Sequence, residues 1–285
     1  MKFDVHHRTE YVFSKPVFAE PHVLRLSPRP DFFVRVLAEE MRVDPQPAGL
    51  ARALDENGNR VIQAWFHENI SSLVFESRLS IELLPYNPFA TLVAPAEGLR
   101  LPMQYNEGLS TALQLERGTK PIDAAVVAFA REIARYTNHD TFAFLSEAAN
   151  AIQRNFFYQI RETGQAHSAA DTLGQNAGTC RDFTVLFMEA ARSMGLAARF
   201  VSGYAPALAR QPGEIPSRPD LHAWAEVFLP GAGWLGFDPT QGIALCGGHL
   251  PLAAAPDPAG AAPVTGSIRG MATTELRTEL SFREI

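Results

Sequence analysis

Cysteine is almost missing from this sequence: Cys180 and Cys246 are the only two in 285 residues. That excludes a disulfide framework and suits a reduced compartment, so the expected location is the cytoplasm. Long apolar runs are missing too. Nothing approaches the ~18 residues of a membrane span, and Met1-Lys2-Phe3-Asp4-Val5-His6-His7-Arg8 is too charged for a signal-peptide core. Basic blocks are absent as well. The formal charge is -6, with both signs interspersed, which argues against nucleic acid or an acidic membrane surface as a partner. What remains is an ordinary globular composition, 46% hydrophobic and 20% charged, with room for a substantial core.

The first third reads as β-structure. Phe3, Val5, His7, Thr9, Tyr11 and Phe13 fall on one face of a strand and the intervening residues on the other. Short strands are expected at Val23–Leu26, Phe33–Val36 and Met41–Val43. A hairpin follows around Asn57-Gly58, returning through Val61–Phe66, and a long amphipathic strand runs over Leu73–Leu83. The pattern predicts an antiparallel sandwich-like module over residues 1–105. His6, His7, His22 and His67 match no metal-ligand spacing and read as satisfied or surface histidines. Residues 85–120, rich in proline, read as a connecting segment.

Helical spacing takes over from Pro121 to Tyr136 and from Phe142 to Phe156, with one more turn expected at Ser168–Leu173. A central helix is predicted over Cys180–Met194, its stripe formed by Phe183, Leu186, Phe187, Ala190 and Met194, with Gly195 as its left-handed cap. Strands follow at Ala198–Tyr204, Leu221–Leu229 and Trp234–Phe237, the first two separated by a loop over Ala205–Pro219. The catalytic core is thus expected over 106–250. Residues 251–285 read as an Ala/Pro-rich linker and a final strand at Thr274–Phe282 that joins one of the sheets.

The chemistry centres on Cys180, at a helix start where free N–H groups and the helix dipole favour a thiolate. His222 lies on the second strand after this helix, and Asp238 on the third. A thiol nucleophile needs a base, and an imidazole needs a carboxylate to orient it and balance its charge, so the three residues fit a Cys–His–Asp acyl-transfer site. In an antiparallel hairpin, residues opposite each other share a face, so His222 and Asp238 can meet only if the connecting loop is odd or bulged. A three-residue loop, Pro230–Ala232, pairs Leu229 with Gly233 and sets Trp224 opposite Asp238, diagonal to His222. The Cys180 N–H offers one oxyanion donor, and Tyr158 or Gln165 a second. Asp182 reads as a helix-start carboxylate without a catalytic role. Glu226 is either a substitute carboxylate or a surface residue, and Trp224 and Trp234 read as packing. Cys246-Gly247-Gly248-His249 is half a metal motif with no second half, and reads as a loop.

Four blocks, Gly178-x-Cys180-x-Asp182-Phe183, Ala198–Tyr204, His222-Ala223-Trp224-Ala225-Glu226 and Gly233-Trp234-x-Gly236-Phe237-Asp238-Pro239-Thr240, together resemble the bacterial transglutaminase-like proteins. His7-Arg8-Thr9-x-Tyr11, Leu24–Arg29 and Asp55-x-x-Gly58-Asn59 resemble the N-terminal β module of that group. The resemblance implies an α+β papain-like core with Cys180 as nucleophile, His222 as base and Asp238 as orienting acid. Animal transglutaminases need calcium, but no calcium loop of the EF-hand type is present here, so no metal requirement and no cofactor are expected. Gln241 stands where an Asn is common in the family. The superfamily holds transglutaminases, deamidases, peptidases and inactive scaffolds. Expected here is hydrolysis of peptide or side-chain amides rather than cross-linking, since nothing marks an amine site. The alternatives are Gln-directed transglutaminase or deamidase activity, a non-catalytic peptide-binding scaffold, and a subunit working with peptide-modifying partner proteins.

Overall fold

Alternation in the first third closes two antiparallel sheets on each other. The computed structural model describes residues 1–161, 163–205 and 220–285. In the first sheet β1 (Lys2–Ala19) pairs along its length with a distant strand, Asn69–Leu83, which in turn pairs with Val34–Asp44. In chain order the module reads β1, β2 (His22–Leu24), β3 (Val34–Asp44), β4 (Gly49–Leu54), β5 (Arg60–Trp65) and β6 (Asn69–Leu83). The β4–β5 hairpin is the one signalled by Asn57-Gly58, with Leu54 opposite Arg60 and Gly58 at φ 75°. Phe3, Val5, Phe75, Leu79 and Ile81 from the first sheet meet Leu24, Ile62 and Ala64 from the second in one core. The two short strands expected between Phe33 and Val43 are a single strand, β3, whose pairing slips between Val36 and Ala38. A bulge there breaks the alternation that a continuous strand would show.

The connecting segment carries a helix that sequence reading missed, α1 (Glu107–Ala112), capped by Asn106. It buries no residue, so it has no apolar stripe to reveal it. The next helix, α2 (Ala124–Tyr136), starts at an Asp123 cap rather than at Pro121. It is followed by α3 (Thr141–Asn155), β7 (Phe157–Tyr158), α4 (Ala169–Gln175), β8 (Ala177–Gly178) and α5 (Cys180–Ser193). Then come β9 (Ala197–Ala205), β10 (Asp220–Leu229), β11 (Gly233–Asp238), β12 (Ile243–Ala244) and β13 (Leu250–Ala255), in spatial order β12-β11-β10-β9-β13. Ala205 ends β9, and the rest of the loop expected up to Pro219 lies outside the described residues. Phe183, Leu186, Phe187 and Ala190 of α5 bury against Ala223, Ala225, Val227 and Phe237 of this sheet, with α2 and α3 beside them. Gly195 caps the helix end at φ 82°, as its position required.

Residues from Pro251 onward are no linker. Leu250–Ala255 is wholly buried and pairs with β9. The alanines are there because both faces of this strand are crowded: Ala253 and Ala255 pack towards the helices, while Leu250 and Leu252 reach the sandwich core. The chain then returns to the N-terminal module through β14 (Val264–Thr265) on β2, β15 (Ile268–Arg269) on β1 and β16 (Thr274–Glu284) along β1. Polar links tie module to core. The His7 ring shares a hydrogen bond of 2.8 Å with the Tyr204 hydroxyl, and the Asn59 amide brackets the Ala254 backbone. No helix among the described residues is long and apolar enough to cross a membrane.

Candidate active site

The short parallel pair β7–β8 delivers the chain to the head of α5, Tyr158 lying beside Gly178. A capping box then starts the helix: Thr179 receives the N3 backbone N–H, and the Asp182 carboxylate receives the Thr179 N–H at 2.7 Å. Gly178 has to be glycine, because a Cβ would stand 2.8 Å from that of Asp182. Asp182 is fully buried. The Arg161 guanidinium grips both its oxygens at 2.9 and 3.0 Å, and the His167 N–H adds a third tie at 2.7 Å. Burial works against the Asp182 charge. Arg161 and the backbone N–H groups outweigh it and bring its pKa down to about 2. Asp182 is thus more than a cap: it ties Arg161 and His167 to the nucleophile's helix, and Arg161 neutralises the negative charge it would set beside Cys180. Cys180 is the first residue of α5, so its N–H is among those a helix leaves without an internal partner.

The β10–β11 hairpin has the odd loop that the face argument demanded. Leu229 pairs with Gly233 across the three residues Pro230–Ala232, and the ladder continues to Ala225 opposite Phe237. His222 therefore shares a face with Asp238, and its Nε2 donates to Asp238 Oδ2 at 2.7 Å. Nε2 being taken, Nδ1 is the ring nitrogen left for Cys180, whose side chain helps to favour the charged ring. Asp238 is completely buried, and its second oxygen accepts the N–H groups of Thr240 at 2.8 Å and Gln241 at 3.3 Å. Burial resists a charged imidazole. The Asp238 carboxylate and Cys180 outweigh it, and the His222 pKa is raised well above its ordinary value. Burial likewise resists the Asp238 anion, and the charge and hydrogen bond of His222, aided by His249, hold it well below the usual carboxylate range.

His249 is the residue that sequence reading missed. Its Nε2 reaches the same Asp238 Oδ2 at 3.1 Å, and its ring stands edge-on to Trp224 with centroids 5.1 Å apart. The Cys246–Gly248 segment is a loop, as expected, but its end brings His249 into the site. The available signal was topological: β12 and β13 lie at opposite edges of the sheet, so the segment joining them has to cross it. Nitrogen and oxygen atoms of His222, Asp238 and His249 lie within 4.8 Å of one another. Both histidines are hydrogen-bonded to the same carboxylate oxygen, an arrangement that works as a proton network.

Glu226 is neither a substitute carboxylate nor a surface residue. It is buried between Arg199, whose Nη2 is 2.6 Å away, and Arg29 of the N-terminal module at 3.3 Å. Trp224 is buried, and Trp234 lies under the Arg199 guanidinium at 4.0 Å. Tyr158 is half-buried against the Phe183 ring, whereas Gln165 is exposed, with its backbone carbonyl bonded to Arg161. His6, His7 and His22 are each hydrogen-bonded away from the site.

Comparison with known proteins bears on this architecture. Residues 127–239 match the transglutaminase-like superfamily, and residues 3–82 match the bacterial transglutaminase-like N-terminal region. The Mycobacterium tuberculosis protein Rv2569c is 30% identical over 254 residues, covering 84% of this chain and 79% of its own. The chain belongs to the transglutaminase-like superfamily. A second relative, ML0607 of Mycobacterium leprae, is 28% identical over 273 residues and covers 95% and 94% of the two chains. A candidate cysteine protease from Cytophaga hutchinsonii shares the transglutaminase-like fold across the whole chain and 91% of its own, with a TM-score of 0.71 at 21% identity.

Proposed function

We propose that this transglutaminase-like protein is a cysteine-dependent acyl-transfer enzyme acting on peptide or side-chain amides, with water as the acceptor. Cys180 is the nucleophile, His222 the base and acid, and Asp238 the carboxylate that orients and charges the imidazole. The observation that carries the reading is the buried His222–Asp238 hydrogen bond of 2.7 Å, with Cys180 beside the same ring at the head of α5.

In the first half-reaction the Cys180 proton passes to His222 Nδ1, and the thiolate sulfur bonds to the amide carbon. The carbonyl π pair moves onto oxygen, towards the Cys180 N–H at the head of α5. Collapse of the adduct breaks the C–N bond, and the Nδ1 proton leaves with the amine, so that a thioester remains. In the second half a water gives a proton to Nδ1 and its oxygen bonds to the thioester carbon. The C–S bond then breaks and the sulfur recovers the proton. Nε2 keeps its proton throughout, held by the Asp238 anion. Water is the simpler acceptor because it needs no second binding site, whereas an amine does.

Mass spectrometry on a peptide library tests this directly. Wild type should yield products that have gained water at an amide, and Cys180→Ala should yield none. Adding a primary amine separates the alternatives: amine-bearing products in place of hydrolysed ones would make the protein a transglutaminase instead.

A further inference from the structure

We propose that His249 is a positioning residue of the same site: its Nε2–H pins Asp238 Oδ2 in line with His222 and keeps the shared proton on His222. The inference rests on the catalytic reading above and adds a fourth side chain to it. His249 immediately precedes β13, the strand at the sheet edge opposite β12. It is buried, and Trp224, itself buried, fixes its ring edge-on.

The chemistry of the ring decides which way it bonds. Its Nδ1 is buried and has no partner among the described residues. A proton on Nδ1 would be an unpaired buried donor, and would turn the Nε2 lone pair against a carboxylate oxygen 3.1 Å away. The proton therefore sits on Nε2 and is donated to Asp238. Four donors then surround the carboxylate: Thr240 and Gln241 N–H on Oδ1, His222 and His249 on Oδ2. Two consequences follow. The carboxylate cannot rotate away from His222, because both of its oxygens are held. Sharing Oδ2 between two donors also lowers its basicity, so the proton between Asp238 and His222 stays on the imidazole.

The test is made on the full chain in a Cys246→Ser background, so that alkylation reports Cys180 alone. Iodoacetamide labelling at about pH 6 compares wild type with His222→Ala, His249→Phe and His249→Gln. Phe keeps a ring against Trp224 without the donor, and Gln keeps an N–H donor. The proposal expects labelling to fall by about tenfold or more in His249→Phe and to return most of the way in His249→Gln, at similar melting temperatures. Equal loss in both His249 variants would mean that the ring acts only as filler, and wild-type labelling in His249→Phe would mean that it does not act; either result overturns the proposal while leaving the Cys180–His222 reading intact. Unchanged labelling in His222→Ala would instead remove that reading, and this proposal with it. If His249→Phe does not fold, 15N-histidine spectra of the wild type decide the matter. A His249 proton on Nε2 supports the proposal, and one on Nδ1 overturns it.

Discussion

His7 should make this protein lose stability as pH falls below neutrality. The ring is 1% exposed, wedged between the Tyr204 hydroxyl at 2.8 Å and the Thr9 hydroxyl at 2.9 Å, at the seam between N-terminal module and core. Burial, helped by the like charge of neighbouring His6, lowers its pKa from 6.5 to about 4. Between those values the unfolded chain binds a proton that the folded chain refuses, so stability is present above the unfolded pKa and is lost as pH falls through the window. At about 1.36 kcal/mol per pH unit, His7 removes about 2 kcal/mol by about pH 5 and about 3 kcal/mol near pH 4. His22, also lowered by burial, tilts the curve the same way, so the comparison that isolates His7 is wild type against His7→Gln, which can still bond both hydroxyls. Urea unfolding of both, from about pH 7.5 to about pH 4.5, should show wild type losing about 2–2.5 kcal/mol relative to the variant. A difference that does not change with pH would refute the reasoning.

Glu226→Gln leaves Arg199 and Arg29 with an uncompensated buried charge, and should cost about 3–5 kcal/mol in urea unfolding. Asp182→Asn removes the charge and one of the two acceptor oxygens on which Arg161, His167 and Thr179 converge, and should cost about 2–3 kcal/mol, with faster proteolysis near Gly164. Gly203→Ala would drive a Cβ into the Leu250 carbonyl and the Trp224 ring, and should destabilise by about 1–3 kcal/mol, because a paired strand backbone has no room to yield.

How much of this was legible in the sequence depended on the range of the forces involved. The meeting of His222 and Asp238 was readable because pleat and loop parity are local rules, and Pro230–Ala232 obeys them. The faces of β1 were readable for the same reason, with Phe3, Val5, His7, Thr9 and Phe13 all buried. Three features were hidden by tertiary context. Half of β13 is alanine, which has little β-propensity, and the segment is a strand through its pairing with β9 between the helices and the sandwich core. Glu226 looks like any outward residue of a strand until Arg29 arrives from about 200 positions earlier to cover it. His249 belongs to a Gly-rich loop whose path across the sheet is set by the β9–β13 pairing, which no local pattern near residue 249 announces.

The most direct test of the account is the pH dependence of Cys180 alkylation by iodoacetamide in a Cys246→Ser background. With His222 held charged by Asp238 beside Cys180, labelling in that background should be nearly flat from about pH 5.5 to about pH 8. His222→Ala should restore the climb of an ordinary thiol, about tenfold per pH unit below its free pKa of about 8.5. The same steep climb with and without His222 would contradict the claim that Cys180 and His222 work as one nucleophile.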